Sequence, residues 1–113
     1  MTSLSTHVLD TSLGRPAAGV AVRLLRCLPS GAGWFELGEA VTDPDGRIRE
    51  FPLAEQLSGG EHRLVFDTRA YFDGRGGSSF FPRVVIDFEL RGGEHHHVPL
   101  LLSPFGFTTY RGS

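Results

Sequence analysis

The sequence predicts an all-β fold, a β-sandwich of about eight strands carrying one short helix, and three observations support it. Short apolar or alternating runs recur along the 113 residues, and none is long enough for an extended helix. The runs are punctuated by 15 Gly and 7 Pro, the mark of many turns rather than many helical segments. Residues 83–90 alternate cleanly, with Val84, Ile86, Phe88 and Leu90 against Arg83, Asp87 and Glu89, as a half-buried strand does. The length suits a single domain, 1–113, built on one core.

Taken in order, residues 4–10 (Leu-Ser-Thr-His-Val-Leu-Asp) form the first strand. Leu4, Thr6 and Val8 share one face of it, and Ser5, His7 and Leu9 the other. Residues 11–19 are a turn-rich connection containing Gly14, Pro16 and Gly19, and the apolar run 20–28 is a second strand. After a loop at 29–33, residues 34–41 make a third strand. Thr-Asp-Pro-Asp-Gly at 42–46 is then a strong turn signal, and Arg47 emerges directly from it. Residues 48–53 support at most a short strand stopped by Pro52, and 57–60 turn again. A strand at 61–67, one or two helical turns at 68–75, a Gly-Gly-Ser-Ser loop and the strand at 83–90 follow, and 91–94 reverse the chain.

The chain closes on a hairpin that begins His-His-His-Val-Pro-Leu-Leu-Leu-Ser-Pro. His95, His97, Pro99 and Leu101 share one face, and Val98, Leu100 and Leu102 the other. Both faces are largely apolar, whereas a sandwich strand ordinarily has one wet face, so the outer face calls for a cover and a second subunit is the simplest one. Chain ends are usually polar and frayed. Here apolar and aromatic residues run almost to Ser113, so the end is expected to be ordered and able to place Ser113 and Arg111 in a site.

A formal net charge of -2 with 21% charged residues provides no basic field for nucleic acid or anionic lipid. No apolar run approaches the roughly 20 residues of a membrane-spanning helix. The single Cys27 cannot form an intrachain disulfide and no secretory leader is recognisable, which fits a reducing cytoplasm.

The chemistry-bearing candidates are His7, the Asp45-Gly46-Arg47 turn and the two ends of the hairpin, His95 to His97 and Tyr110 to Ser113. Each has an ordinary alternative: a hydrogen-bonded histidine, a solvated arginine, a loose tail. His95 and His97 lie on one strand face and His7 can supply a third ligand, so a metal site competes. No carboxylate or thiolate accompanies the trio at ligand spacing, and the metal-free reading, with no cofactor, is preferred. Nucleophile-elbow, phosphate-loop and reactive-cysteine motifs are missing.

Together these motifs resemble the 5-hydroxyisourate hydrolases, the transthyretin-like enzymes of urate breakdown. The resemblance rests on Leu-Ser-Thr-His-Val-Leu-Asp at 4–10, Gly46-Arg47, His-His-His-Val-Pro-Leu-Leu-Leu-Ser-Pro at 95–104, and Tyr110-Arg111-Gly112-Ser113. It implies a transthyretin-like eight-stranded sandwich with one short helix, assembled as a homotetramer, a dimer of dimers with its channel between dimers. Carried over by position, it implies catalytic roles for His7, Arg47, His97 and Ser113. Tyr110 and Arg111 join His7, Arg47, His97 and Ser113 in binding substrate. His96 departs from the aromatic residue usual between the two histidines, and Phe107 stands where a tyrosine or tryptophan is common.

The implied reaction opens the cyclic amide of 5-hydroxyisourate to 2-oxo-4-hydroxy-4-carboxy-5-ureidoimidazoline. Imidazoles suit proton transfer with water near neutral pH, and an arginine fork suits a developing oxyanion. The rival expectation is a non-catalytic, transthyretin-type carrier of a small ligand. That function favours an apolar channel lining over histidines and an arginine.

Overall fold

The computed structural model describes residues 1–113, and two sheets face each other across one apolar core. The first sheet is built on β1 (Ser3–Asp10), which lies beside β8 (His95–Ser103), and β8 in turn pairs with β9 (Gly106–Thr109). The free edge of β1 is shared by two short pieces, β2 (Arg15–Pro16) and β5 (Arg47–Ile48). The second sheet has the order β4-β3-β6-β7, from β4 (Trp34–Val41), β3 (Ala21–Cys27), β6 (Gly60–Phe66) and β7 (Val84–Leu90).

Alternation builds the core. From β1, Leu4, Thr6, Val8 and Asp10 turn inward; from β8, His96, Val98, Leu100 and Leu102 do so. They meet Val22, Leu24, Leu64, Phe66, Val84, Ile86 and Leu90 of the second sheet. The outward set of β1 and β8 includes Ser5, His7, His95 and His97 together with the apolar Leu9, Pro99 and Leu101, so one strand period puts these histidines on the face away from the core.

Helix α1 (Thr68–Asp73) is shorter than the expected 68–75. It begins where the Asp67 carboxylate accepts from the Ala70 amide, a side-chain cap. Its buried Tyr71 donates to the Asp10 carboxylate at 2.8 Å, joining helix to β1. Burial pushes the Asp10 carboxyl up, but hydrogen bonds from Ser12 and Tyr71 outweigh it and hold it below the usual range. Burial and the same bond push the Tyr71 phenol up to about 12.

β1 and β8 run parallel, a pairing that alternation along either strand does not predict, so the first sheet is mixed. A parallel pair needs a long connection, and here residues 11–94 supply it by building the entire second sheet. The strand expected at 48–53 ends at Ile48. Beyond it Phe51 is drawn into the core, and the Ala54 amide donates at 2.7 Å to the carbonyl of Leu37, the residue left unpaired where β3 and β4 shift register. The segment crosses a strand bulge instead of extending a ladder.

Candidate functional site

The outer face of the first sheet brings together three of the expected residues. His7 on β1 lies directly opposite Arg47 on β5, so both side chains leave the same face. His97 on β8 lies opposite Ser5, and His7 opposite Pro99, which places His97 diagonally next to His7.

Arg47 is delivered by the turn before it. Asp43 accepts from the amides of Asp45 and Arg47 at 2.9 Å each, and the Asp43 amide donates back to the Arg47 carbonyl at 2.9 Å. Those bonds, with the Arg49 guanidinium beside it, hold the Asp43 carboxyl below its usual range. Gly46 has φ +75°, and a Cβ there would lie 2.4 Å from the Val8 carbonyl oxygen, so only glycine fits the turn against β1. The turn is also fastened by Val8, whose amide donates to Gly46 at 2.7 Å.

The His7 ring completes the fastening, its Nε2 2.9 Å from the Asp45 carbonyl oxygen. A carbonyl only accepts, so His7 carries its proton on Nε2 and leaves Nδ1 as the free lone pair. His97 is held differently: its Nδ1 lies 2.8 Å from Ser5 Oγ and its Nε2 has no protein partner. Burial, then the nearby Arg47, His7 and His95, hold the His97 imidazole below the usual histidine range. It therefore remains an unprotonated acceptor at pH values where a free histidine is charged.

The tail reaches this face through Gly112. Its amide donates to the His97 carbonyl at 2.8 Å in an isolated antiparallel bridge, and a Cβ on Gly112 would lie 2.6 Å from His97 Cδ2. Ser113 follows immediately and is exposed. Tyr110 and Arg111 do not join the cluster within the single chain. They line a cleft of about 350 Å³ with Phe88, His96 and Val98, and Arg111 pairs with Glu94 at 3.0 Å.

His96, the departure from the usual aromatic, points inward: its Nδ1 donates to the Ser3 carbonyl and its Nε2 accepts from the Arg91 amide at 2.9 Å. No three His, Cys, Asp or Glu side chains gather closely enough to hold a metal ion. Two residues of the site were not expected from sequence, Asp43 and Ser5. The Asp-x-Asp-Gly spacing was a usable signal for Asp43. Ser5 had only its place two residues before His7 on the same face.

Residues 4–112 match the model of the HIUase/Transthyretin family. The chain is 44% identical to the 5-hydroxyisourate hydrolase of Mus musculus, over 97% of this chain and 94% of that protein. Its structure is similar to that of Klebsiella pneumoniae 5-hydroxyisourate hydrolase, with TM-score 0.85 and 44% identity over 99% of this chain and 100% of that one. It is also similar to transthyretin from Sparus aurata, with TM-score 0.90 and 32% identity over 99% and 97%. Backbone likeness is high to both and somewhat greater to the transthyretin, while identity is greater toward the hydrolases. The chain belongs to the HIUase/Transthyretin family.

Proposed function

We propose that this chain hydrolyses 5-hydroxyisourate, opening its cyclic amide to 2-oxo-4-hydroxy-4-carboxy-5-ureidoimidazoline in urate degradation. The observation that carries the reading is the convergence of His7, Arg47 and His97 on one sheet face. The His7/His97 pair accepts a proton from the attacking water and returns it to the leaving nitrogen, using the free lone pair of His7 Nδ1 or the unpartnered Nε2 of His97. Arg47, charged at any working pH, binds the oxygen-rich ring and stabilises the oxyanion. Ser113, one residue beyond the Gly112 bridge, orients water or a histidine at the rim. Tyr110 and Arg111, offered by the resemblance for substrate binding, line a separate cleft in the single chain, where Arg111 pairs with Glu94.

We further propose that the 113 residues act as one domain in a cytoplasmic homotetramer. The free edges of β7 and β9, with Val85, Phe105 and Phe107 exposed nearby, favour burial against further copies. No helix is long and apolar enough to cross a membrane. A carrier function fits the fold equally well, but polar groups converging on the face favour chemistry.

The test is spectrophotometric: 5-hydroxyisourate generated enzymatically in situ disappears faster with the protein than in buffer, and a chelator leaves the acceleration intact. Decay at the buffer rate refutes the reading.

A further inference from the structure

Beyond the three converging residues, the outer face carries an unbroken line of hydrogen-bonding side chains. Ser3 Oγ lies 2.6 Å from His95 Nδ1, His95 Nε2 lies 3.2 Å from Ser5 Oγ, and Ser5 Oγ lies 2.8 Å from His97 Nδ1. The parallel register makes this possible, since Ser3 faces His95 and Ser5 faces His97. Two serines from the start of the chain thus interleave with two histidines from its end.

We propose that Ser5, directed by His95, is a positioning residue that fixes the tautomer of His97 for hydrolysis; this rests on the hydrolase reading above. A hydroxyl has one proton to give and lone pairs to accept with, so the direction of its bonds is decided by its neighbours. If Ser5 gives its proton to His95 Nε2, its lone pair accepts from His97 Nδ1–H, and His95 Nδ1–H in turn donates to Ser3 Oγ. Every bond in the line is then satisfied. His97 Nε2 is left as a bare lone pair, the form a general base requires.

The reverse direction satisfies the same line but puts a proton on His97 Nε2, leaving it no capacity to accept from water. The charged groups around the ring decide between them. Arg47 on β5 leaves the same sheet face as His97 and carries only donors, so a His97 Nε2 lone pair complements that face where a further N–H would not. His7 on β1 presents its committed Nε2–H to Asp45 and so does not compete for the serine. The tail lays Gly112, which has no side chain, against the ring carbons. Ser5 is then the one protein group bonded to the His97 ring nitrogens, and His95 sets the direction of its hydroxyl.

The experiment compares wild type, Ser5→Ala and Ser5→Thr by nitrogen-15 NMR of the histidine rings above pH 7 and by steady-state decay of 5-hydroxyisourate. Ser5 lies on the outer face of β1, so its truncation opens no core cavity. In wild type His97 is expected as the Nδ1–H tautomer. Ser5→Ala moves it toward Nε2–H, the form free imidazole side chains prefer, and lowers kcat roughly tenfold or more with KM within about twofold. Ser5→Thr, which keeps the hydroxyl, restores both. An unchanged His97 tautomer in Ser5→Ala overturns the proposal whether or not kcat falls, and so does an unchanged kcat. If wild type fails to accelerate the decay, the hydrolase reading falls, and the ring tautomers still decide whether Ser5 positions His97.

Discussion

His97 is the residue on which the most influences converge: a serine at Nδ1, a guanidinium and two imidazoles nearby, and the tail across its carbons. Burial and Arg47 lower its proton affinity, so the acid limb of kcat/KM assigned to it is expected below the ordinary histidine value of 6.5. Removing a cation from beside an imidazole makes protonation easier. Residual activity of Arg47→Gln is therefore expected to show that limb at higher pH; a limb that stays or moves down contradicts the role given to Arg47. Gly112→Ala places a Cβ 2.6 Å from His97 Cδ2, and the ring must shift. We expect kcat/KM to fall about tenfold or more with little change in thermal midpoint; wild-type activity would mean that the ring position is unimportant. His7, Arg47 and His97 were offered as candidates by the sequence, each within a short motif, and the roles proposed for them came from the resemblance. Ser5 was not, because what matters about it is a partner 92 residues away across a parallel ladder.

At the scale of elements, the turn before Arg47 and the latch between helix and first strand hold the site in place. Gly46→Ala meets both a positive φ and the Val8 carbonyl at 2.4 Å, and is expected to destabilise by about 2 kcal/mol or more while displacing Arg47. Equal unfolding midpoints would show that the turn accommodates a side chain. Tyr71→Phe removes the bond to buried, ionised Asp10 and is expected to cost about 1.5–3 kcal/mol by denaturant titration. The alternating strands and the Asp-Pro-Asp-Gly turn were readable because their cause is local. The parallel pairing of β1 with β8 and the crossing of residues 49–54 over the β4 bulge were not, since the first depends on everything between the two strands and the second on one unpaired carbonyl.

At the scale of the whole molecule, the core holds a histidine that no surface argument requires. His62 is fully buried, its Nδ1 donates to the Gly60 carbonyl at 2.8 Å and its Nε2 has no partner. Burial holds its imidazole below the usual range, as burial and Arg47 do for His97. A histidine depressed in the native state makes the unfolded chain the better proton binder between the ordinary value near 6.5 and the lower native one. Stability is therefore full above that window and falls as pH drops through it. Unfolding midpoints at fixed protein concentration are expected to decrease from pH 7 to pH 5, and less steeply in His62→Leu; identical slopes would remove His62 from the account. The expectation of a covering subunit came from the apolar residues Pro99 and Leu101 on the outer side of the final hairpin, and the proposed tetramer symmetry came only from resemblance, because one chain specifies where it needs cover but not how many copies provide it. The most direct test of the central claim is the decay of freshly generated 5-hydroxyisourate with wild type, His7→Ala, Arg47→Glu and His97→Ala, each shown by circular dichroism to be folded. Acceleration by wild type and its loss in all three variants is the predicted result, and full activity in any one of them would contradict it.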